Sequence, residues 1–141
     1  MKLDLTSLSN AIESLDASLN VVGDQAWFAA LPKTAQDTLI AGVIQNFGFV
    51  HELSIKMIRR RIEMDAASPT EADFSNFRDL LRSAAERGMI ADVEAWFGYR
   101  KLRNETLHTY DRHKAQKVFH GIPAFLRDAK ALMRELQARN V

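Results

Sequence analysis

The spacing of apolar residues along the chain predicts a series of helices. A first group recurs at steps of three and four residues, which places its members on one helix face: Leu5, Leu8, Ile12, Leu15 and Leu19. Gly23 and Asp24 are expected to end this helix. A longer stripe predicts a second helix from Lys33 to about Met64, whose inner face carries Leu39, Ile40, Val43, Ile44, Phe47, Val50, Ser54, Met57, Ile58 and Ile62.

Three further helices are predicted downstream. Ser68 is followed by proline and, three residues on, by an acid, which favours a helix start here or shortly after, with an end near Gly88. A fourth helix is expected from residue 91 or 92 to about 107, and a fifth from about 112 to 138, bent in its first half by Gly121 and Pro123.

These patterns predict an all-α protein. Sustained alternation of apolar and polar residues with β-branched enrichment is absent, and so are Asn-Gly or Asp-Gly hairpin turns. We therefore expect an up-and-down bundle of four to five helices. A length of 141 residues with 47% hydrophobic content fits one domain spanning residues 1–141.

Composition indicates the cellular compartment in which the protein is expected. The chain has no cysteine, which is compatible with a reducing compartment. Its first residues form an amphipathic pattern where a signal peptide would have an apolar run, and no apolar run reaches the roughly 20 residues that cross a bilayer. We expect a soluble, cytoplasmic protein that does not contact membranes.

The charge of the chain is nearly balanced. A formal net charge of +1 is far from that of a dedicated nucleic-acid coat, so any contact with RNA must come from local clusters of cations. Three such clusters occur, and each could be an ordinary solvated helix face: Arg59-Arg60-Arg61, Arg100-Lys101 with Arg103, and Arg112-His113-Lys114 with Lys117.

The segment from Arg103 to Tyr110, with the sequence Arg-Asn-Glu-Thr-Leu-His-Thr-Tyr, concentrates side chains suited to phosphate chemistry. Arginine is a permanent forked cation that binds phosphate oxygens, and histidine moves protons near neutral pH. The tyrosine can act as a nucleophile or stack on a base. We therefore predict a phosphate-directed site at Arg103, His108 and Tyr110.

The spacing of this segment resembles the motif of the HEPN superfamily, specifically its HepT-like, nucleotidyltransferase substrate-binding branch. Residues 44–56 resemble the second-helix pattern of that branch, although Gly48 stands where the family often carries an acid and Ile55 where tryptophan is frequent. Residues 82–90 resemble its short helix ending in a Gly-x-Ile turn, followed by an aromatic at Trp96. The likeness covers roughly residues 35 to 136.

The resemblance implies a homodimer whose paired motifs line one cleft and cleave RNA as the toxin of a toxin–antitoxin module. Arg103 and His108 would be catalytic. From their chemistry and position we also expect supporting roles for Asn104, which could hold the phosphate or the imidazole, for Tyr110, and for Glu52 at the rim of the site. The resemblance also implies a partner, a minimal nucleotidyltransferase antitoxin that transfers AMP onto Tyr110 and silences the ribonuclease. The alternative is a non-catalytic companion of such a transferase, and a purely structural helical module is a third possibility.

Helix geometry leaves two arrangements of the motif open. At about 100° per residue, Arg103 and Tyr110 fall almost on one stripe, whereas His108 is displaced from Arg103 by roughly 140°. Either the fourth helix unwinds near His108, or the working site is assembled from two copies of the chain.

Metal and cofactor sites are not predicted. The spacings of His108, His113 and His120 lack the four-residue step that places two ligands on one helix face. A phosphate-cradling Gly-rich loop is also missing. Cleavage through the substrate's own 2′-hydroxyl needs no metal if arginine supplies the positive charge.

Overall fold

A computed structural model describes residues 2–74, 76–106 and 112–140 of the protein. Within these ranges the chain forms six α-helices and one short 3₁₀ helix. In chain order they are α1 (Thr6–Gly23), α2 (Gln25–Ala29), α3 (Lys33–Asp65), the 3₁₀ helix (Pro69–Ala72), α4 (Phe77–Glu86), α5 (Val93–Glu105) and α6 (Arg112–Arg139). The expected all-α class is confirmed.

The long helices begin and end close to the predicted residues, but α2 was not anticipated. Its five residues are too few to show a helical period. It begins where the Asp24 carboxylate accepts a hydrogen bond of 3.2 Å from the Trp27 backbone N–H. This local cap lets the chain turn between α1 and α3 without a longer loop.

The third predicted helix is divided in two. The Ser68-Pro69 start produces only the 3₁₀ helix, and α4 begins several residues later, where the Asn76 side chain accepts a hydrogen bond of 2.9 Å from the Asp79 N–H. Gly88 adopts a left-handed conformation with φ of 76° just after α4, as is common for a glycine that ends a helix.

An aromatic cluster holds α3, α5 and α6 together. The Phe125 ring meets three other rings edge-on, with centroid distances of 4.8 Å to Phe47, 5.1 Å to Tyr99 and 5.8 Å to Trp96. Such edge-to-face pairs stabilise the core beyond the contribution of the buried apolar area. The Tyr99 hydroxyl also donates a hydrogen bond to Asp128 on α6. These contacts fix α5 against the centre of α3.

The fifth predicted helix continues through its proline. Pro123 lies inside α6 and is exposed, where its missing N–H faces the outside of the bundle. Gly121 lies so close to α5 that an added Cβ would collide with the Leu102 side chain. Among the described residues, no helix has the length and apolar character needed to cross a membrane.

Candidate functional site

A groove of about 370 Å³ lies between α3 and α5. Its lining comprises His51, Glu52, Ile55, Arg100, Arg103 and Asn104. Within each helix, lining residues that are three or four positions apart share a helix face. The groove volume falls in the range of about 300–1,000 Å³ typical of small-ligand sites, and both arginines point to an anionic ligand.

The Arg103 side chain is half-buried and held by its own helix end. Its Nη1 donates a hydrogen bond of 2.7 Å to Thr106 Oγ1, and that hydroxyl donates one of 2.6 Å to the Arg103 carbonyl. None of the ion pairs between described residues involves Arg103. The guanidinium is therefore oriented by a neutral hydroxyl and keeps its charge available to a ligand.

Gly48 on α3 makes room for the Arg103 side chain. A Cβ built at Gly48 would lie 3.2 Å from both Cζ and Nε of Arg103. This is tighter than ordinary van der Waals contact, so even an alanine would displace the guanidinium by a few tenths of an ångström. The arginine thus packs directly on the α3 backbone.

Arg100 is exposed at the side of the groove and stacks on an aromatic ring. Its guanidinium carbon lies 4.3 Å from the centroid of the Phe77 ring. On the neighbouring surface, Arg78 and Arg82 approach the Phe97 ring at 4.5 and 5.7 Å. Cation–π contacts of this kind hold exposed guanidiniums in place without neutralising them.

The other predicted cation clusters contain paired cations. Arg61 forms an ion pair of 2.8 Å with Asp65, and Lys117 forms one of 3.1 Å with Glu105. Of the three clusters, the one with Arg100 and Arg103 lines the groove.

His51 is the buried histidine of the groove. It is 3% exposed and its ring lies near Phe47, Phe77 and Phe125, with centroid distances of 6.1 to 6.4 Å. Burial, reinforced by the nearby charges of Arg100 and Arg103, lowers the pKa of His51 from 6.5 to about 4. The ring is therefore neutral at physiological pH, and its buried Nε2 has no hydrogen-bond partner among the described residues.

The predicted site residues divide into two groups. Arg103, Asn104 and Glu52 line the same groove, the last two with exposed side chains. His108 and Tyr110 lie outside the described residues. The helix α5 ends at Glu105, two residues before the predicted end, so the choice between an unwound helix and a site shared by two copies stays a prediction.

Four residues were not assigned to this site from the sequence: the lining residues His51, Ile55 and Arg100, and Thr106, which holds the Arg103 side chain. Thr106 lies inside the motif, and its spacing of three from Arg103 is the signal that could have indicated a contact. Arg100 lies three residues before Arg103, so the same spacing could have indicated that the two arginines share a helix face. His51 precedes Glu52 directly, but only the packing of α3 against α5 brings it to the groove.

The described ranges contain no group of three or more His, Cys, Asp or Glu side chains placed to hold a metal ion.

Comparison with known proteins agrees with this arrangement of helices. Residues 3–138 match the model of the family described as nucleotidyltransferase substrate binding protein like. The chain belongs to this family. The membership confirms the resemblance that the Arg103 to Tyr110 segment and residues 44–56 predicted.

Two known proteins are similar to this chain in sequence. A protein of Haemophilus influenzae named probable ribonuclease HepT is 42% identical over 139 residues, which cover 99% of this chain and 95% of the relative. A solved structure from the same organism, described as a substrate-binding domain of a nucleotidyltransferase, superposes with a TM-score of 0.91. It is 41% identical and covers 95% of this chain and 99% of its own.

Proposed function

We propose that this member of the family is a metal-independent RNA endonuclease, the cytoplasmic toxin of a toxin–antitoxin pair. The observation that carries the proposal is the groove in which Arg100 and Arg103 lie together without a carboxylate partner among the described residues. Such paired guanidiniums suit a phosphodiester. The similarity to a protein named probable ribonuclease HepT supports the same activity.

The proposed reaction is an internal transesterification. The 2′-oxygen of a ribose attacks the adjacent phosphorus, the bond from phosphorus to the 5′-oxygen breaks, and a 2′,3′-cyclic phosphate forms. A base takes the 2′-hydroxyl proton and an acid protonates the leaving 5′-oxygen. Arg103 stabilises the negative charge that develops on the phosphorus oxygens, with Asn104 and Glu52 at the edge of the site.

We assign both proton transfers to His108. Because one chain has one motif histidine, a homodimer with facing grooves would supply His108 twice, once as base and once as acid. Two Arg103 side chains would then flank the same phosphodiester. The dimer is part of this proposal, and size-exclusion chromatography with light scattering tests it: a monomer at working concentration would contradict the shared site.

Neutralisation is proposed to occur at Tyr110. A partner nucleotidyltransferase would transfer AMP from ATP to the phenol oxygen and release pyrophosphate. The negatively charged phosphate that is added would pair with the arginine guanidiniums, and the adenosine would fill the cleft. Co-expression with the transferase followed by intact-mass measurement tests this step, with Tyr110→Phe as the control. An unchanged mass in the native protein would contradict it.

The nuclease activity can be tested with purified protein, total RNA and EDTA. We expect cleavage by the native protein and a loss of about 10²-fold or more in His108→Ala, since one proton carrier contributes roughly 10²- to 10⁴-fold. Arg103→Ala should lose activity as well. Arg134 is an exposed arginine of α6 outside the groove, so Arg134→Ala is the charge-matched control and should stay active.

A second candidate is a non-catalytic companion of a nucleotidyltransferase. The description of the similar solved structure as a substrate-binding domain of such an enzyme favours it. In that case the native protein would leave RNA intact under all conditions. It would instead form a stable complex with the transferase and alter the transferase's affinity for its nucleic-acid or nucleotide substrate.

A further inference from the structure

His51 is a buried polar group with an unmet hydrogen-bonding capacity. Its Nε2 exposes less than 1 Å² and has no hydrogen-bond partner within residues 2–74, 76–106 and 112–140, although the residue lines the groove together with Arg100 and Arg103. Leaving a buried polar atom unpaired is costly for the fold, and such atoms are rare in proteins. A phenylalanine would fill the same aromatic surroundings without that cost. The presence of a ring nitrogen is therefore explained if a bound ligand forms a hydrogen bond with it.

We propose that His51 recognises ribose: its Nε2 forms a hydrogen bond with the 2′-hydroxyl of a nucleotide whose phosphate is bound by Arg100 and Arg103. This inference rests on the proposed function, because it names a contact made by the same RNA in the same groove. The contact would let the protein distinguish RNA from DNA, since the 2′-hydroxyl is present in RNA and absent from DNA.

The protonation state of His51 favours a hydroxyl over a phosphate as its partner. A neutral imidazole has one donor and one acceptor nitrogen, whereas a hydroxyl both donates and accepts, so either tautomer can pair with it. A phosphate oxygen only accepts, and two guanidiniums already provide donors for it. The phosphate and the sugar of one nucleotide therefore have separate partners in the groove.

His51 is suited to binding and not to proton transfer. A histidine with a pKa of about 4 is a weak base at neutral pH, whereas catalytic bases work best with a pKa near the operating pH. His51 would therefore complement His108 without replacing it. Because Nε2 is buried, binding of a hydroxyl requires neighbouring side chains of the groove to move.

The test compares binding of two ligands by three proteins. The ligands are a short single-stranded oligoribonucleotide and the all-deoxy oligonucleotide of the same sequence, measured at one fixed salt concentration. The proteins are the native form, His51→Phe and His51→Gln, all in a His108→Ala background so that cleavage cannot deplete the ligand. His51→Phe keeps an aromatic ring beside Phe47 and Phe125, and His51→Gln keeps a polar group near Nε2.

We expect the native form to bind the ribonucleotide more tightly and His51→Phe to reduce this preference by about 2- to 12-fold, the effect of one hydrogen bond. Affinity for the deoxy ligand should not change. His51→Gln should retain most of the preference, and it serves as the test if His51→Phe does not fold.

Two results would overturn the inference in distinguishable ways. If the protein with His108 cleaves RNA but the preference for ribose is the same with and without His51, the ribose contact is wrong and the nuclease proposal stands. If the protein neither cleaves nor binds the ribonucleotide, both proposals fall together.

Discussion

Gly48 on α3 and Arg103 on α5 are in direct contact, with 3.2 Å between a Cβ built at the glycine and the guanidinium carbon. The relationship explains how a large cation fits between two packed helices. It also means that a side chain introduced at residue 48 would lie next to the Arg103 guanidinium. The family resemblance indicates that an acid often stands at this position, so the glycine leaves Arg103 without that neighbour.

We expect Gly48→Asp to weaken RNA binding, because its carboxylate would pair with the Arg103 guanidinium. Binding measured over a range of salt concentrations should show a shallower slope, by about 0.7 in log K against log salt, as one cation is withdrawn from phosphate contact. Gly48→Ala is the matched control, since it displaces the arginine slightly but adds no charge. Equal slopes for the two variants would contradict the pairing.

The hydroxyl of Thr106 should matter for catalysis more than for folding. Thr106→Val keeps the shape of the side chain but removes the bond to Arg103 Nη1. Loss of one hydrogen bond that orients the guanidinium is expected to lower single-turnover cleavage by about 2- to 12-fold. Thr106→Ser retains the hydroxyl and should cleave at close to the native rate; a similar loss in both variants would indicate that the methyl group is what matters.

Burial of neutral His51 makes the fold sensitive to acid. The pKa of His51 is lowered to about 4 in the folded protein, so the unfolded chain binds the proton first as pH falls. His51 therefore leaves the free energy of unfolding unchanged above about pH 6.5, and lowers it progressively as pH falls from there towards 4. A shift of this size corresponds to up to about 3 kcal/mol.

Urea unfolding at pH 7 and pH 4 measures this effect. His51→Phe has no titrating ring, so its free energy of unfolding should fall less than that of the native protein over this interval. Parallel losses in the two proteins would mean that His51 is not the group responsible.

The Tyr99 hydroxyl ties α5 to α6 through Asp128. Tyr99 is buried, and both burial and the hydrogen bond to the carboxylate raise the pKa of the phenol. Tyr99→Phe leaves the half-buried carboxylate without this donor and should lower the free energy of unfolding by about 1–3 kcal/mol. Asp128→Asn keeps an acceptor for the phenol and should cost less; the urea midpoints of the two variants give the comparison.

Local sequence was sufficient to place the long helices. Apolar residues at steps of three and four require a helix to be buried together, so α1, α3, α5 and α6 lie where the periodicity predicted them. The pattern was insufficient for α2 and for the division at Ser68. Both depend on single side-chain caps, Asp24 and Asn76, which operate within one turn and leave no period.

The sequence by itself determined the all-α fold and the family, and it singled out Arg103 as a candidate site residue, because periodicity and motif spacing are properties of neighbouring residues. Only the tertiary structure decided that Arg103 lies against Gly48, and that a neutral His51, unpartnered among the residues that the structure describes, shares its groove. These residues are separated by some fifty positions in sequence. Their contact arises from the packing of α5 against α3, and burial among aromatic rings, which no local pattern records, sets the charge state of the imidazole.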